Sequence, residues 1–453
     1  MVEQNAQQKI LMVGTGYVGL VTATGLAKLG HTVSCYDINP ERVAQLKNGT
    51  PPFYEPGVSE LLAEGVQQGK LSFSDSLNEA YDGQRYIFVG VQTPQDANGK
   101  SDLSMLRAAA TSVAQTATQQ AVVIIKSTVS VGILDELKEL PAVKQNGALT
   151  FVSCPEFLAE GTAVRDFFHP MRTIVGSDND ELSHEVAGLF YGLGGAYIIT
   201  DAKTAQMIKY SANSFLATRV AFINDVAEIC EQLKISVNDV AEALVMDPRV
   251  GGTYLWPSIG FGGPCLPKDI AALIESSERV GAQALLLRGA SEHNVSHLRH
   301  VIDTIVQLLG KGTTVAFFGL SFKPNTDDVR NAFSLKIMQA LLETGNITVR
   351  ATDPHAIPAA KRELAHQSIS YFEDPLEAAK GSDLQLFLTP WDEYKQLDLA
   401  KLASVVQTKN IYDGMQVVSE ETARANGFAY QGVGNTYGAN RPTFEVSENP
   451  ASS

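Results

Sequence analysis

The chain has 453 residues, too many for one ordinary core, so two or three domains are expected. Its 44% hydrophobic and 19% charged content fits a soluble globular protein, and a net charge of -15 argues against a nucleic-acid or membrane-surface binder. Cys35, Cys154, Cys230 and Cys265 are sparse and lack zinc-ligand spacing. No disulfide framework and no metal centre are expected, and a reducing compartment follows. Met1 to Lys9 is polar, without an apolar signal core, and no run is long and apolar enough to span a bilayer, so the cytoplasm is the expected location.

The chain opens with the apolar run Ile10–Val13, turns through Gly14-Thr-Gly16-Tyr-Val-Gly19 into a helical stretch ending near Gly30, and continues as the strand-like His31–Tyr36 before Asp37. The outer glycines suit a tight turn and close helix packing, and the middle one lets a pyrophosphate approach the helix N-terminus. In this strand–turn–helix–strand setting the motif is specific for a dinucleotide. A carboxylate at Asp37 accepts from ribose hydroxyls and repels a 2′-phosphate, which favours NAD over NADP. Strand-like runs at Tyr86–Val89, Ala121–Ile125 and Leu149–Val152 continue the alternation, predicting a doubly wound parallel sheet.

From Thr204 to Leu233 apolar residues recur at helical spacing, predicting one long helix, and a second helical region is expected from Ile270 to about Leu309. Strand-led runs return at Thr313–Phe318, Ile347–Asp353, Leu384–Leu388 and Asn410–Asp413, predicting a further α/β sheet without a GxGxxG turn. The expected division is a dinucleotide-binding domain at 1–203, a central helical dimerisation region at 204–310, an α/β domain at 311–438 and a disordered tail at 439–453. The architecture is α/β, with two Rossmann-like doubly wound domains joined by a long central helix.

The most informative chemistry lies in Gly260-Phe-Gly-Gly-Pro-Cys-Leu-Pro-Lys-Asp269. Pro267 suits a first helical turn, which places Cys265 at a helix N-terminus with Lys268 close by. Both features favour the nucleophilic thiolate. Lys126-Ser-Thr128 and Pro155-Glu-Phe-Leu-Ala-Glu160-Gly161 each follow a strand, at the sheet edge where ligands bind. Glu156 and Glu160, four apart, share a face if the segment is helical. Lys209 and Asn213 share a face of the long helix, near Asn224. Spacing alone makes that stripe a solvent side, and the alternative is an ammonium and an amide aimed at an oxyanion. Lys323 and Arg330 suit a phosphate-bearing ligand, and Arg249 is a further cation upstream of the cysteine. A hydride acceptor beside a nucleophilic cysteine is the combination needed to oxidise an aldehyde through a thioester.

These motifs, in this order from Gly14 to about Gly434, resemble those of the UDP-glucose/GDP-mannose dehydrogenase family of nucleotide-sugar 6-dehydrogenases. They include Lys126-Ser-Thr-Val129, Lys209-x-x-x-Asn213, Gly262-Gly-x-Cys-x-Pro-Lys-Asp269 and Phe322-Lys-Pro-x-Thr-x-Asp-x-Arg330. The resemblance implies two successive NAD-dependent oxidations at C6 of a nucleotide sugar through a cysteine thiohemiacetal and thioester. UDP-glucose is the first expectation, with GDP-mannose or a UDP-N-acetylhexosamine as alternatives. It also implies a homodimer or higher homo-oligomer. By motif, Cys265 is the nucleophile, Glu160 the general base or water activator, Lys209 and Asn213 the oxyanion donors, Asp269 a proton-transfer partner and Thr128 the water-positioning group. Gly14, Gly16, Tyr17, Val18, Gly19, Asp37, Thr93, Thr128, Lys268 and Arg330 are implied at the cofactor. Glu156, Phe157, Leu158, Lys209, Phe261, Gly262 and Lys323 are implied at the substrate, with Arg249 reaching it from a partner subunit. Cys154 stands where the family usually has Asn, Asp225 where Glu is usual, and Asp413-Gly-Met415 lacks an arginine often found there. Two other readings remain: a two-electron 3-hydroxyacid dehydrogenase, which needs no cysteine, and a protein that binds NAD without turnover.

Overall fold

A computed structural model describes residues 7–95 and 101–434, so the expectation for residues 439–453 falls outside the described residues. The first sheet contains β1 (Lys9–Val13), β2 (Thr32–Tyr36), β3 (Leu71–Ser74), β4 (Tyr86–Val89), β5 (Ala121–Ile125), β6 (Leu149–Ser153), β7 (Arg172–Gly176) and β8 (Ala196–Thr200). Its order is β3-β2-β1-β4-β5-β6-β7-β8. The strands β4 and β5 are buried along their whole length, as expected where helices cover both faces of a parallel sheet.

One expectation changes here. The sheet is not parallel throughout, because β6 meets β7 antiparallel, through a single Ser153–Gly176 register. The link over residues 154–171, which contains the helix Ala163–Phe168, returns the chain to the sheet edge in the opposite direction. The pair β7 and β8 is parallel again.

The second sheet contains β9 (Thr314–Phe318), β10 (Thr348–Thr352), β11 (Ile369–Tyr371), β12 (Leu384–Phe387), β13 (Asn410–Asp413) and β14 (Ala429–Gly432). Its order is β11-β10-β9-β12-β13-β14, with every described pair parallel. It repeats the opening device of the first sheet. Gly319 follows β9 with φ +102, as Gly14 follows β1 with φ +91. Asp353 after β10 accepts from the Leu320 and Ser321 amides, as Asp37 after β2 accepts from that of Thr15.

Between the sheets runs the helix Ala202–Leu233, capped by Asp201, whose side chain accepts from the Thr204 amide at 2.9 Å. It ends at Lys234 in the left-handed region. Its buried stripe runs Ala205, Lys209, Asn213, Ala217, Val220, Asn224, Ala227, at steps of three and four. Three polar residues therefore ride inside an apolar seam. The solvent-side expectation for Lys209 and Asn213 is overturned, because the long helix is sandwiched between helices and sheet edges. On the opposite side Phe215, Phe222 and Ile229 stay 60%, 51% and 54% exposed.

The second helical region is two helices, Leu266–Arg279 and Leu285–Leu309, broken at Ala284 with φ +46. No helix of the described residues is long and apolar enough to cross a membrane.

Candidate active site

The three glycines of the first turn answer to three different demands. Gly14 has φ +91, a conformation that a side chain rarely adopts. Gly19 is fixed by packing, since a Cβ there would lie 1.9 Å from the Gly14 carbonyl oxygen. Gly16 needs glycine for neither reason: its φ is −68, and an added Cβ would meet no protein atom within 4 Å. That open approach, at the N-terminus of the helix Tyr17–Lys28, fits a pyrophosphate. Asp37 is buried at the end of β2, accepting at 2.8 Å from the Thr15 amide and hydroxyl, at 2.9 Å from the Asn39 amide and at 3.1 Å from Arg42. Burial alone would raise its pKa, but these donors outweigh it and hold the carboxyl below its ordinary range. Thr93 and Thr128 meet at the same edge, the Thr93 hydroxyl donating to the Thr128 carbonyl at 2.9 Å. Val18 is half-buried in the first turn of the helix.

A cavity of about 720 Å³ lies where the two sheets and the central helix converge. Phe157, Leu158 and Glu160 line it from the loop after β6, Lys209 and Asn213 from the long helix, Phe261, Gly262 and Cys265 from the cysteine loop, and Lys323 from the second sheet. The segment from Cys154 to Ala159 is not helical. Glu156 and Glu160 therefore do not share a helical face. Pro155 disfavours helical backbone at Cys154, and the two carboxylates beyond it find different partners. Glu156 receives the Lys209 ammonium at 2.8 Å, both side chains being more than nine-tenths buried. Glu160 receives Arg330 at 3.3 Å and the Thr326 hydroxyl at 3.4 Å, both from the second domain.

Lys209 is fully enclosed. Burial would lower its pKa, but the carboxylate charges of Glu156 and Asp269 reverse the sign, so it is held as an ammonium. Asn213 donates to Asp269 Oδ2 at 2.6 Å, and Lys268 to Asp269 Oδ1 at 2.6 Å. Lys268 thus serves the carboxylate instead of the thiol. Cys265 caps the helix Leu266–Arg279, with Pro267 in the first turn as expected.

The expectation of a ready thiolate is overturned. The Cys265 side chain opens into the cavity and is exposed there, yet its sulfur is ringed by protein. That enclosure pushes its pKa up to about 12. The Lys209 charge lowers it, but Glu156, Asp269 and Glu160 add to the rise. The resting group is a thiol that must lose its proton on attack. Glu160 is likewise raised above an ordinary carboxylate, up to about 8, by burial and the neighbouring Asp328 charge, against Arg330 and Lys323. Burial lowers Lys323, with Glu160 opposing it.

Arg249 is not in the cavity of its own chain. It is exposed and paired with Asp247.

Further residues shape the site, and of these Glu55, Asn294, His297 and Arg172 carried no sequence signal. Buried Glu55 accepts from the Tyr17 hydroxyl, the Gly161 amide and the Ala163 amide, and so ties the glycine turn to the loop bearing Glu160. Asn294 holds the Phe261 backbone from both sides, at 2.9 Å each. The Asn224 side chain accepts from the Ser258 amide at 2.9 Å, and His297 Nε2 donates to the Ser258 carbonyl at 2.8 Å. The loop bearing the thiol is thus hung by its backbone from both central helices. Arg172 stacks over the Phe157 ring at 4.0 Å.

A dinucleotide turn, a second α/β domain and a cysteine-lined cleft between them define an NAD-dependent oxidoreductase. Three models of the UDP-glucose/GDP-mannose dehydrogenase family match in sequence: the NAD binding domain over residues 8–193, the central domain over 203–296 and the UDP binding domain over 316–420. The chain belongs to that family. It is 37% identical to the UDP-glucose 6-dehydrogenase TuaD of Bacillus subtilis, over 94% of this chain and 93% of that one. Among solved structures it is similar to a UDP-glucose dehydrogenase from Pyrobaculum islandicum, with a TM-score of 0.87 and 33% identity over 95% of this chain and 98% of that one. The UDP-N-acetyl-mannosamine dehydrogenase Cap5O of Staphylococcus aureus matches with a TM-score of 0.78 and 28% identity, covering 94% and 98%.

Proposed function

We propose that this chain oxidises C6 of UDP-glucose to the carboxylate, with reduction of two NAD, through a thioester on Cys265. The observation that carries the reading is the Cys265 thiol facing the cavity among Lys209, Glu160 and the Asn213–Asp269 pair. A two-electron alcohol dehydrogenase requires no such thiol.

Gly14, Gly16, Tyr17, Val18, Gly19 and Asp37, with Thr93, Thr128, Lys268 and Arg330, would hold NAD, which would supply the hydride acceptor. Glu156, Phe157, Leu158, Phe261, Gly262 and Lys323 hold the nucleotide sugar, and Arg249 of the partner subunit closes the site. The C6 aldehyde from the first oxidation is attacked by the Cys265 sulfur, whose proton passes to Asp269 as the C–S bond forms. Lys209 and Asn213 donate to the resulting oxyanion, a role worth on the order of a hundredfold or more per donor. The second oxidation leaves a thioester. Water positioned by Thr128 gives its proton to Glu160 and adds to the carbonyl; the C–S bond breaks and the sulfur is reprotonated. A carboxyl with a pKa near the working pH suits that exchange. The exposed row Phe215, Phe222 and Ile229 supports a homodimer through the central helix.

The test is the NADH formed per UDP-glucose at completion with excess NAD. Two per sugar is expected. One per sugar overturns the thioester route. No turnover, with GDP-mannose or a UDP-N-acetylhexosamine oxidised instead, moves the same chemistry to another sugar.

A further inference from the structure

Behind the cysteine loop, three histidines of the helix Leu285–Leu309 face three acids of the helix Ala202–Leu233. His293, His297 and His300 recur at helical spacing, as do Asp225, Glu228 and Glu231. His300 and Glu231 form a direct pair at 2.6 Å, partly open to solvent. His293 behaves differently. Both its ring nitrogens are buried, and neither makes a hydrogen bond among the described residues. Its Nε2 lies 3.6 Å from Asp225 Oδ1 and 3.6 Å from Glu228 Oε1. That is too long for a hydrogen bond, and a buried ring nitrogen left without a partner calls for a reason.

We propose that Glu228, His293 and His297 form a binding site for one divalent transition-metal ion of the zinc class, with Asp225 as the fourth ligand. One donor atom from each of the three lies within 4.8 Å of the others. A tetrahedral ion with bonds of about 2.0–2.2 Å holds its donors roughly 3.3–3.6 Å apart, which is the spacing around His293. Imidazole with carboxylate suits zinc. His297 is also oriented as a metal ligand. Its Nε2 donates to the Ser258 carbonyl, which can only accept, so that nitrogen keeps its proton and Nδ1 is the one turned to the cluster. Nδ1 donates to Glu228 Oε1 at 2.7 Å, and an entering ion would displace that proton and open the contact by roughly 0.6–0.9 Å. The ion is structural in kind: it ties together the two central helices, and through Ser258 it stiffens the loop that carries Cys265.

The test is titration of chelator-treated full-length protein with zinc sulfate by calorimetry, with X-ray absorption on the loaded sample. One ion per chain is expected, with light-atom ligands at about 2.0–2.1 Å and no sulfur. His293→Ala should weaken binding at least about tenfold, and Cys265→Ser should not change it. If His293→Ala fails to fold, Glu228→Gln and the exposed Asp225→Asn serve instead, each weakening binding several-fold. No binding at micromolar zinc, equal binding in all the cluster variants, or binding lost only in Cys265→Ser would overturn the proposal.

Discussion

Lys209 and Glu156 form a 2.8 Å ion pair with both side chains almost fully buried, joining the central helix to the loop after β6 across 53 positions of sequence. Removing one partner leaves the other charge without compensation, which costs about 3–5 kcal/mol, whereas removing both costs much less. Lys209→Met should therefore lower stability by several kcal/mol in urea denaturation. The double variant Lys209→Met/Glu156→Gln should recover most of that loss without recovering turnover. Additive losses in the cycle would mean that the two side chains are not coupled.

Cys265→Ser separates the two oxidations. Steady-state acid formation should fall on the order of a thousandfold or more, while a burst of at most one NADH per site remains. Rapid-quench measurement of NADH and of sugar product reads both. Acid formation at the parent rate would remove the covalent step.

Glu160 gives a pH signature. Its folded pKa is raised, so it carries a proton below about 8 and becomes a base above it. The hydrolytic rate should rise through that region and level off above it. In Glu160→Gln this limb should vanish, with the rate uniformly low. Single-turnover decay of the acylated enzyme across pH isolates this step, and an unchanged limb in the variant would assign it to another group.

Arg249 can be tested by complementation. Arg249→Ala and Cys265→Ala chains should each be inactive as purified. After subunit exchange, statistical mixing makes half the dimers mixed, and each has one complete site, so about a quarter of the parent activity should return. No recovery in mixtures verified to exchange would place Arg249 outside the site.

The parts legible in the sequence were those whose cause is local. Gly14, Gly16 and Gly19 can be read because a turn, a ligand approach and a packing contact each act within a few residues. Cys265 at a helix start follows from Pro267 two positions on. The protonation of that thiol was not legible, because its neighbours Glu156, Glu160, Lys209 and Asp269 come from separate segments and their sum decides the sign. The burial of Lys209 and Asn213 was hidden for a related reason: helical spacing defines a stripe without saying whether water or protein covers it. Glu55 and Asn294 act through backbone amides and carbonyls, and such partners leave no pattern in residue types. The antiparallel β6–β7 junction depends on the path of the link over residues 154–171, which its tertiary contacts decide.

Glu160 belongs to the first domain, while Asp328, Arg330 and Lys323 around it belong to the second. Its proton affinity is therefore a property of the interface between them. Separating the domains would hydrate the carboxyl, return it toward ordinary acidity and release its proton. Acid thus favours the contact between the two domains, through the same carboxyl that is proposed to take the proton of the attacking water.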